Sequence, residues 1–219
     1  MFPLTREVIS TAHARVLDMS QPLLAAEGLE LLRQSIVIAV IAVVAALALG
    51  LLAGPEVGSG FMFIVLALLT IAWYSHYRGW ERLCAVRKPL CTVYRAVKWG
   101  FPVAIALLVL GALVVLAKPQ GEIVIPLSNR SIPYHVLIGA VLLTAGIVMS
   151  LLVMLTVLIG FWKISNTYGI GSVKWGALLA TVSIPLIPLG VGWLLALVGL
   201  ALLYLGLGDA AAKARAGKG

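Results

Sequence analysis

The sequence predicts an all-α protein, a polytopic transmembrane helical bundle with five or six membrane segments. Three observations predict it. Of 219 residues, 62% are hydrophobic and 11% charged, against roughly 25% charged in a soluble domain; so much apolar surface calls for lipid as its solvent. The apolar residues gather in long runs, and no Asp, Glu, Lys, Arg or His occurs in 36–53, 61–74, 101–117, 136–161 or 176–208. The formal charge, +8 from 16 Lys and Arg against 8 Asp and Glu, sits between those runs. There it serves to orient a chain in an anionic membrane. No basic domain stands apart from the runs, so no nucleic-acid partner is expected.

Residues 1–30 are polar enough to form a cytoplasmic segment outside the bilayer. Val8, Ile9, Ala12, Val16 and Met19 recur at helical spacing, which predicts a short amphipathic helix over Thr5 to Met19. The stretch lacks the charged start and small-residue cleavage site of a signal peptide. Ser20-Gln21-Pro22 restarts a helix, since Pro is tolerated in a first turn. That helix runs through Glu27, Glu30 and Arg33 into a first span over Ile36 to Ala53, the start of a helical bundle over 31–208. Gly54 to Gly60 is a turn by composition, and a second span follows over Phe61 to Tyr77. A polar linker over 78–100 leads to a third span, Phe101 to Ala117. The loop from Lys118 to Ser131 contains Glu122-Ile-Val-Ile-Pro126, too short to cross, which reads as a surface β-turn. A fourth span over Pro133 to Trp162 is long enough to cross with tilt. A polar connection over Lys163 to Trp175 precedes the last apolar stretch, Gly176 to Gly208, and a basic tail over 209–219 closes the chain.

Orientation follows from the basic residues. Arg78, Arg82, Arg87, Lys88, Arg95 and Lys98 crowd one linker against the single acid Glu81, which places that linker in the cytoplasm. The N-terminus is then cytoplasmic, Glu56 and the 118–131 loop lie outside, and Lys163 and Lys174 return to the cytoplasm. Trp80, Trp99, Trp162 and Trp175 fall near the cytoplasmic boundary, as an aromatic belt would. The last stretch is broken by Pro185, Pro188 and Gly190. One kinked helix would put Lys213, Arg215 and Lys218 outside; a Pro/Gly hairpin of two segments returns them to the cytoplasm. The charge rule favours the hairpin, although its first segment would be short for a crossing.

Small residues recur at helical spacing in three places: Gly139, Gly146 and Ser150; Gly176, Ala180 and Ser183; Gly192, Ala196, Gly199 and Gly206. Such stripes let helix backbones approach closely in lipid. They serve packing within one bundle, self-association or docking to another membrane protein. In 78–98, Trp80, Leu83, Cys84, Val86, Leu90, Val93, Tyr94 and Val97 interleave with six cations. The segment suits an interfacial helix that meets anionic lipid headgroups through Arg78, Trp80, Arg82, Arg87, Lys88, Arg95, Lys98 and Trp99. Pro89 breaks it, which suits a helical hairpin connection as well.

The same inventory argues against other chemistries. Proton relays and ion-coupled carriers keep ionisable groups at depth, and the spans carry none. His76 and His135 fall near opposite faces of the bilayer in this topology, so no haem or metal pair is expected, and no cofactor. Cys84 and Cys91 are seven residues apart; on one straight helix that exceeds disulfide reach, and a cytoplasmic linker favours free thiols. Ser-x-x-Lys and His-Glu-x-x-His are absent, so hydrolase and metalloprotease signatures are missing. Gly169-Ile-Gly171-Ser-Val-Lys174 lacks the ending of a phosphate loop and reads as a turn.

Glu27-Gly-Leu-Glu-Leu-Leu-Arg-Gln-Ser35, Phe161-Trp-Lys-Ile-Ser-Asn-Thr-Tyr-Gly169 and Ile187-Pro-Leu-Gly-Val-Gly-Trp-Leu-Leu-Ala-Leu-Val-Gly-Leu200 resemble a family of archaeal multi-spanning membrane proteins of unknown function. The resemblance implies an archaeal plasma membrane and brings no activity. Only 2 Asn and 3 Gln fit a thermophile. The expected role is a non-enzymatic accessory or scaffold subunit that packs against membrane partners or itself. The alternative is a passive channel or carrier using the broken helix near 184–190.

Overall fold

The computed structural model describes the backbone of residues 4–52, 58–116, 122–125, 130–186 and 191–217, and the side chains of 21–45, 64–116, 133–186 and 191–217. Of the expected turn over Gly54 to Gly60, residues 58–60 instead open the second helix; its residues 54–57, parts of the 118–131 loop, Pro188, Gly190 and Lys218 lie outside the described residues. Apart from one short β-ribbon the described chain is helical: α1 (Leu4–Leu52), α2 (Gly58–Val86), α3 (Cys91–Arg95), α4 (Phe101–Leu116), α5 (Tyr134–Tyr168), α6 (Gly171–Leu186) and α7 (Val191–Arg215). Among the described residues four stretches are long and apolar enough to cross a membrane: Gln21–Ala45, Lys88–Leu116, Tyr134–Tyr168 and Val191–Arg215. The expected second span falls in α2, which is not among the four; its C-terminal half carries Arg78, Glu81 and Arg82. α6 has 16 residues, about 24 Å at the helical rise, short of a hydrocarbon core of about 30 Å.

The described chain forms two compact units, 1–94 with 158–219, and 95–157. In the larger unit α1 and α2 run antiparallel. A Cβ on Gly28 would lie 2.9 Å from the Gly79 carbonyl oxygen, so backbone meets backbone there. α6 and α7 also run antiparallel: Gly176 faces Gly199 and Leu203, and Gly206 faces Ser172 and Val173. α7 packs along α1 as well, with Arg215 on Glu30 and Tyr204 on Arg33. Leu29, Leu32, Trp80, Leu83, Ile164, Val173 and Leu207 form the core. α1 passes through Pro22 without stopping, so the expected restart at Ser20 to Pro22 is not a break. A single proline removes one hydrogen bond and invites a kink, but the 49-residue helix remains continuous on both sides of it.

In the smaller unit α4 packs on the first part of α5. Gly111 meets Leu143 and the Gly139 carbonyl, Gly146 meets Leu108, and Gly100 meets Val153. A single π-helical turn over Ala96–Gly100 enters α4 just before Pro102. A proline ring crowds the carbonyl four residues back, here that of Lys98, and the wider turn relieves that crowding. The outward faces are apolar: Leu116 is 74% exposed and Val141 62%. Where a surface β-turn was expected, β1 (Glu122–Ile125) and β2 (Arg130–Pro133) pair antiparallel, Glu122 opposite Pro133.

Candidate functional site

The polar side chains of the larger unit collect at one end. The approach to the span in α1 contributes Glu27, Glu30 and Arg33. α2 contributes Arg78, Glu81 and Arg82, and the ends of α5 and α7 contribute Lys163, Lys213 and Arg215. Cross-helix contacts join them: Arg82 to Glu27 at 2.8 Å and Arg215 to Glu30 at 3.1 Å. Two lysines satisfy backbone oxygens left over at bends and helix ends, Lys163 Nζ on Pro89 O at 3.0 Å and Lys213 Nζ on Tyr168 O at 2.8 Å.

Beneath this cap, Ser35, His76 and Trp80 form one chain of hydrogen bonds across α1 and α2. Trp80 Nε1 donates to His76 Nε2 at 3.0 Å. Indole can only donate, so a neutral His76 carries its proton on Nδ1. That proton goes to Ser35 Oγ at 3.1 Å, and Ser35 in turn donates to Leu32 O at 2.7 Å. The direction of donation rules out His76 as a base for the Ser35 hydroxyl in this arrangement. Trp80 is fully buried against Phe161, with ring centroids 5.3 Å apart, and its ring fills the space a Cβ on Gly160 would take. The reading of Trp80 as a headgroup residue is therefore corrected. A tryptophan at a span boundary reads as a belt residue, but here the end of α5 covers it.

The same correction applies to the apolar side of 78–98. Leu83, Leu90 and Val93 are buried, so this segment turns its hydrophobic face to protein rather than to lipid. Arg87 closes the bend by an extended residue, and Lys88–Leu90 makes one 3-10 turn at Pro89. The chain reversal brings the Cα atoms of Cys84 and Cys91 to 4.5 Å, and the two form a disulfide. Free thiols were expected from a straight helix and from a cytoplasmic linker. The bend at Pro89 removes the geometric objection, while the bridge counts against a cytoplasmic linker except in an organism, such as a hyperthermophile, whose intracellular proteins keep disulfides. Arg87 reaches Thr167 at 3.4 Å and lies over Tyr168.

Glu81 sits between Arg78, which donates to it at 2.6 Å, and the hydroxyls of Tyr77 and Tyr94, both at 3.4 Å. The Arg78 hydrogen bond holds the Glu81 carboxyl below its ordinary range, against the opposing effect of desolvation. Lys88 is exposed, and so are Arg95 and Trp99 in the smaller unit; Lys98 lies 5.4 Å from the Trp99 ring. Lys174 stacks on Trp162 at 4.0 Å.

The small-residue stripes meet within the chain. Gly176 and Ala180 meet Gly199, Ser183 is buried, and Gly206 meets Ser172. Gly192 is buried in α7 and Ala196 is half-buried. Gly139 and Gly146 face α4, and Ser150 donates to the Gly146 carbonyl. Pro185 lies in the last turn of α6. Gly28, Gly79, Gly100, Gly111 and Gly160 are packing positions that the stripes missed; Gly100, Ala104 and Gly111 recur at spacings of four and seven, a signal present in the sequence. Gly169, at φ +63°, ends α5. There Ile170 N–H donates to Ser165 O, the bond of a Schellman cap, so the phosphate-loop look-alike is a helix-to-helix turn. Among the described residues no three of His, Cys, Asp and Glu gather to hold a metal.

No protein-family model, curated protein or solved structure matches the chain.

Proposed function

We propose that this chain is a multi-pass integral membrane protein of the plasma membrane that acts as a non-catalytic accessory or scaffold subunit, packing laterally against a membrane partner or a second copy. The observation that carries the reading is the outer face of the α4–α5 pair. A groove of about 600 Å³ runs along it, lined by Leu107, Ala140, Thr144, Ala145 and Met149 among others. Ala140, Thr144 and Ala145 form a small-residue floor between Leu107, Val141, Val148, Met149 and Leu152, which lets another helix approach closely, and the groove carries almost no polar group that would favour a solute.

We propose six crossings, with α2 and the short α6 completing the four longer stretches, and the polar end of the larger unit facing the cytoplasm. The convergence of Arg82, Lys163, Lys174, Lys213 and Arg215 on one end supports this orientation, because basic residues are retained on the cytoplasmic side. The channel alternative needs an opening near 184–190.

The lateral-packing reading is tested by Ala145→Trp, which fills the groove. Mild extraction followed by native mass spectrometry should show the wild-type chain in a defined complex and the variant largely released from it. An unchanged complex would move the interface elsewhere on the surface.

A further inference from the structure

The cleft between α1 and α7 holds about 360 Å³ and is lined by Glu30, Arg33, Gln34, Val37, Ile38 and Tyr204. The α1 positions follow one face of the helix at spacings of three and four. The cleft is therefore polar toward residue 30 and apolar toward residue 38, where it enters the candidate span Gln21–Ala45. Arg33 is its central feature. The guanidinium carbon lies 4.0 Å from the centre of the Tyr204 ring, a stack that fixes the plane of the fork. Its ion contact to Glu30 is 3.6 Å, too long for a charge-assisted hydrogen bond. Glu30 is meanwhile held by Arg215 at 3.1 Å. Two guanidinium groups share one carboxylate, which leaves one positive charge in excess. Arg33 Nε is buried and has no acceptor among the described residues, while the side chain as a whole remains 31% exposed.

We propose that this cleft binds the phosphate of an anionic membrane lipid. Arg33 makes the principal, forked contact, Gln34 adds a donor, and Val37 and Ile38 lie against the first methylenes of the acyl chain. A planar fork with spare donors fits a phosphate, and basic clefts between membrane helices on the cytoplasmic side hold such headgroups. A soluble phosphate would meet Arg33 and leave the apolar half of the cleft unused. The inference rests on the membrane reading and places a specific lipid site on the larger unit, apart from the surface cations of 78–98.

The test is a titration of the delipidated full chain in detergent, read by native mass spectrometry. The probes are phosphatidylglycerol and, as a soluble source of the same chemistry, glycerol phosphate. One phosphatidylglycerol should bind tightly and glycerol phosphate should bind at least tenfold more weakly. Arg33→Gln should weaken the lipid at least tenfold, and Arg33→Lys, which keeps the charge but not the fork, about threefold. Lys174→Gln, which removes a cation stacked on Trp162 away from the cleft, should leave binding within twofold. Lipid binding by Arg33→Gln within twofold of wild type would overturn the site. So would equal losses in Arg33→Gln and Lys174→Gln, which mark diffuse attraction. Glycerol phosphate binding as tightly as the lipid would overturn the lipid assignment. Should Arg33→Gln fail to keep its helix content, Tyr204→Leu replaces it, with weakened lipid binding expected and unchanged binding contradicting the proposal. Carbonate washing of native membranes separates the premise from the inference: release of the chain sinks the membrane reading whatever the titration gives.

Discussion

At Ser35, His76 and Trp80 each polar hydrogen has one destination, and the chain of donation ends on the Leu32 carbonyl. Removing a link leaves a buried polar atom unpaired, which costs more than the bond itself contributes. Trp80→Phe should therefore lower stability by about 1–3 kcal/mol, read as an earlier thermal unfolding in detergent; an unchanged midpoint would dissolve the network. Glu81 gives a pH dependence. Its carboxyl is held low in the fold by Arg78, so its contribution is present above the ordinary carboxylate range and is lost as pH falls through the lowered value. Thermal unfolding followed from neutral pH into the acid range should show this loss in the wild type and a flatter profile in Glu81→Gln. Matching profiles would show that Arg78 does not couple to folding through Glu81.

Among the elements, the helix seams and the bend at Pro89 carry the fold. A Cβ on Gly199 would lie 2.6 Å from the Ala180 nitrogen, and helix backbone cannot yield as a flexible side chain does. Gly199→Val should cost about 1–3 kcal/mol through overpacking, while the same change at open Gly171 should cost less; equal effects would deny the seam its close approach. The Cys84–Cys91 bridge closes a short loop, and Cys84→Ser should cost on the order of 2 kcal/mol by the chain-entropy relation. Intact-mass analysis should show no alkylation of the denatured wild type until it is reduced. Alkylation without reduction would remove the bridge.

The apolar runs were legible because a membrane helix needs nothing but length and the absence of charge, and Gly139, Gly176 and Gly199 were legible because small residues recur at helical spacing. The bridge was not: a spacing of seven on a straight helix keeps two cysteines apart, and only the reversal at Pro89 brings them together. Trp80 was equally hidden, since its burial depends on Gly160 and Phe161, some 80 residues away. Gly28 and Gly79 lie in polar sequence, where no stripe can form to mark them.

For the molecule as a whole, the basic ends of α2, α5 and α7 meet at one pole of the larger unit, and the outer faces of α4 and α5 are left to lipid or to a partner. The six proposed crossings would place the tail with that pole in the cytoplasm. The chain has only two cysteines, both in the bridge, so Ala212→Cys supplies a single free thiol on an exposed position. It should resist an impermeant maleimide in intact cells and react after permeabilisation; labelling in intact cells would favour five crossings or the opposite orientation. The central claim is lateral association, and native mass spectrometry of the tagged chain, extracted from its own membranes in mild detergent, tests it most directly. A defined complex, with a second membrane protein or with further copies of the chain, is the result predicted. A lone monomer in every mild detergent would contradict it.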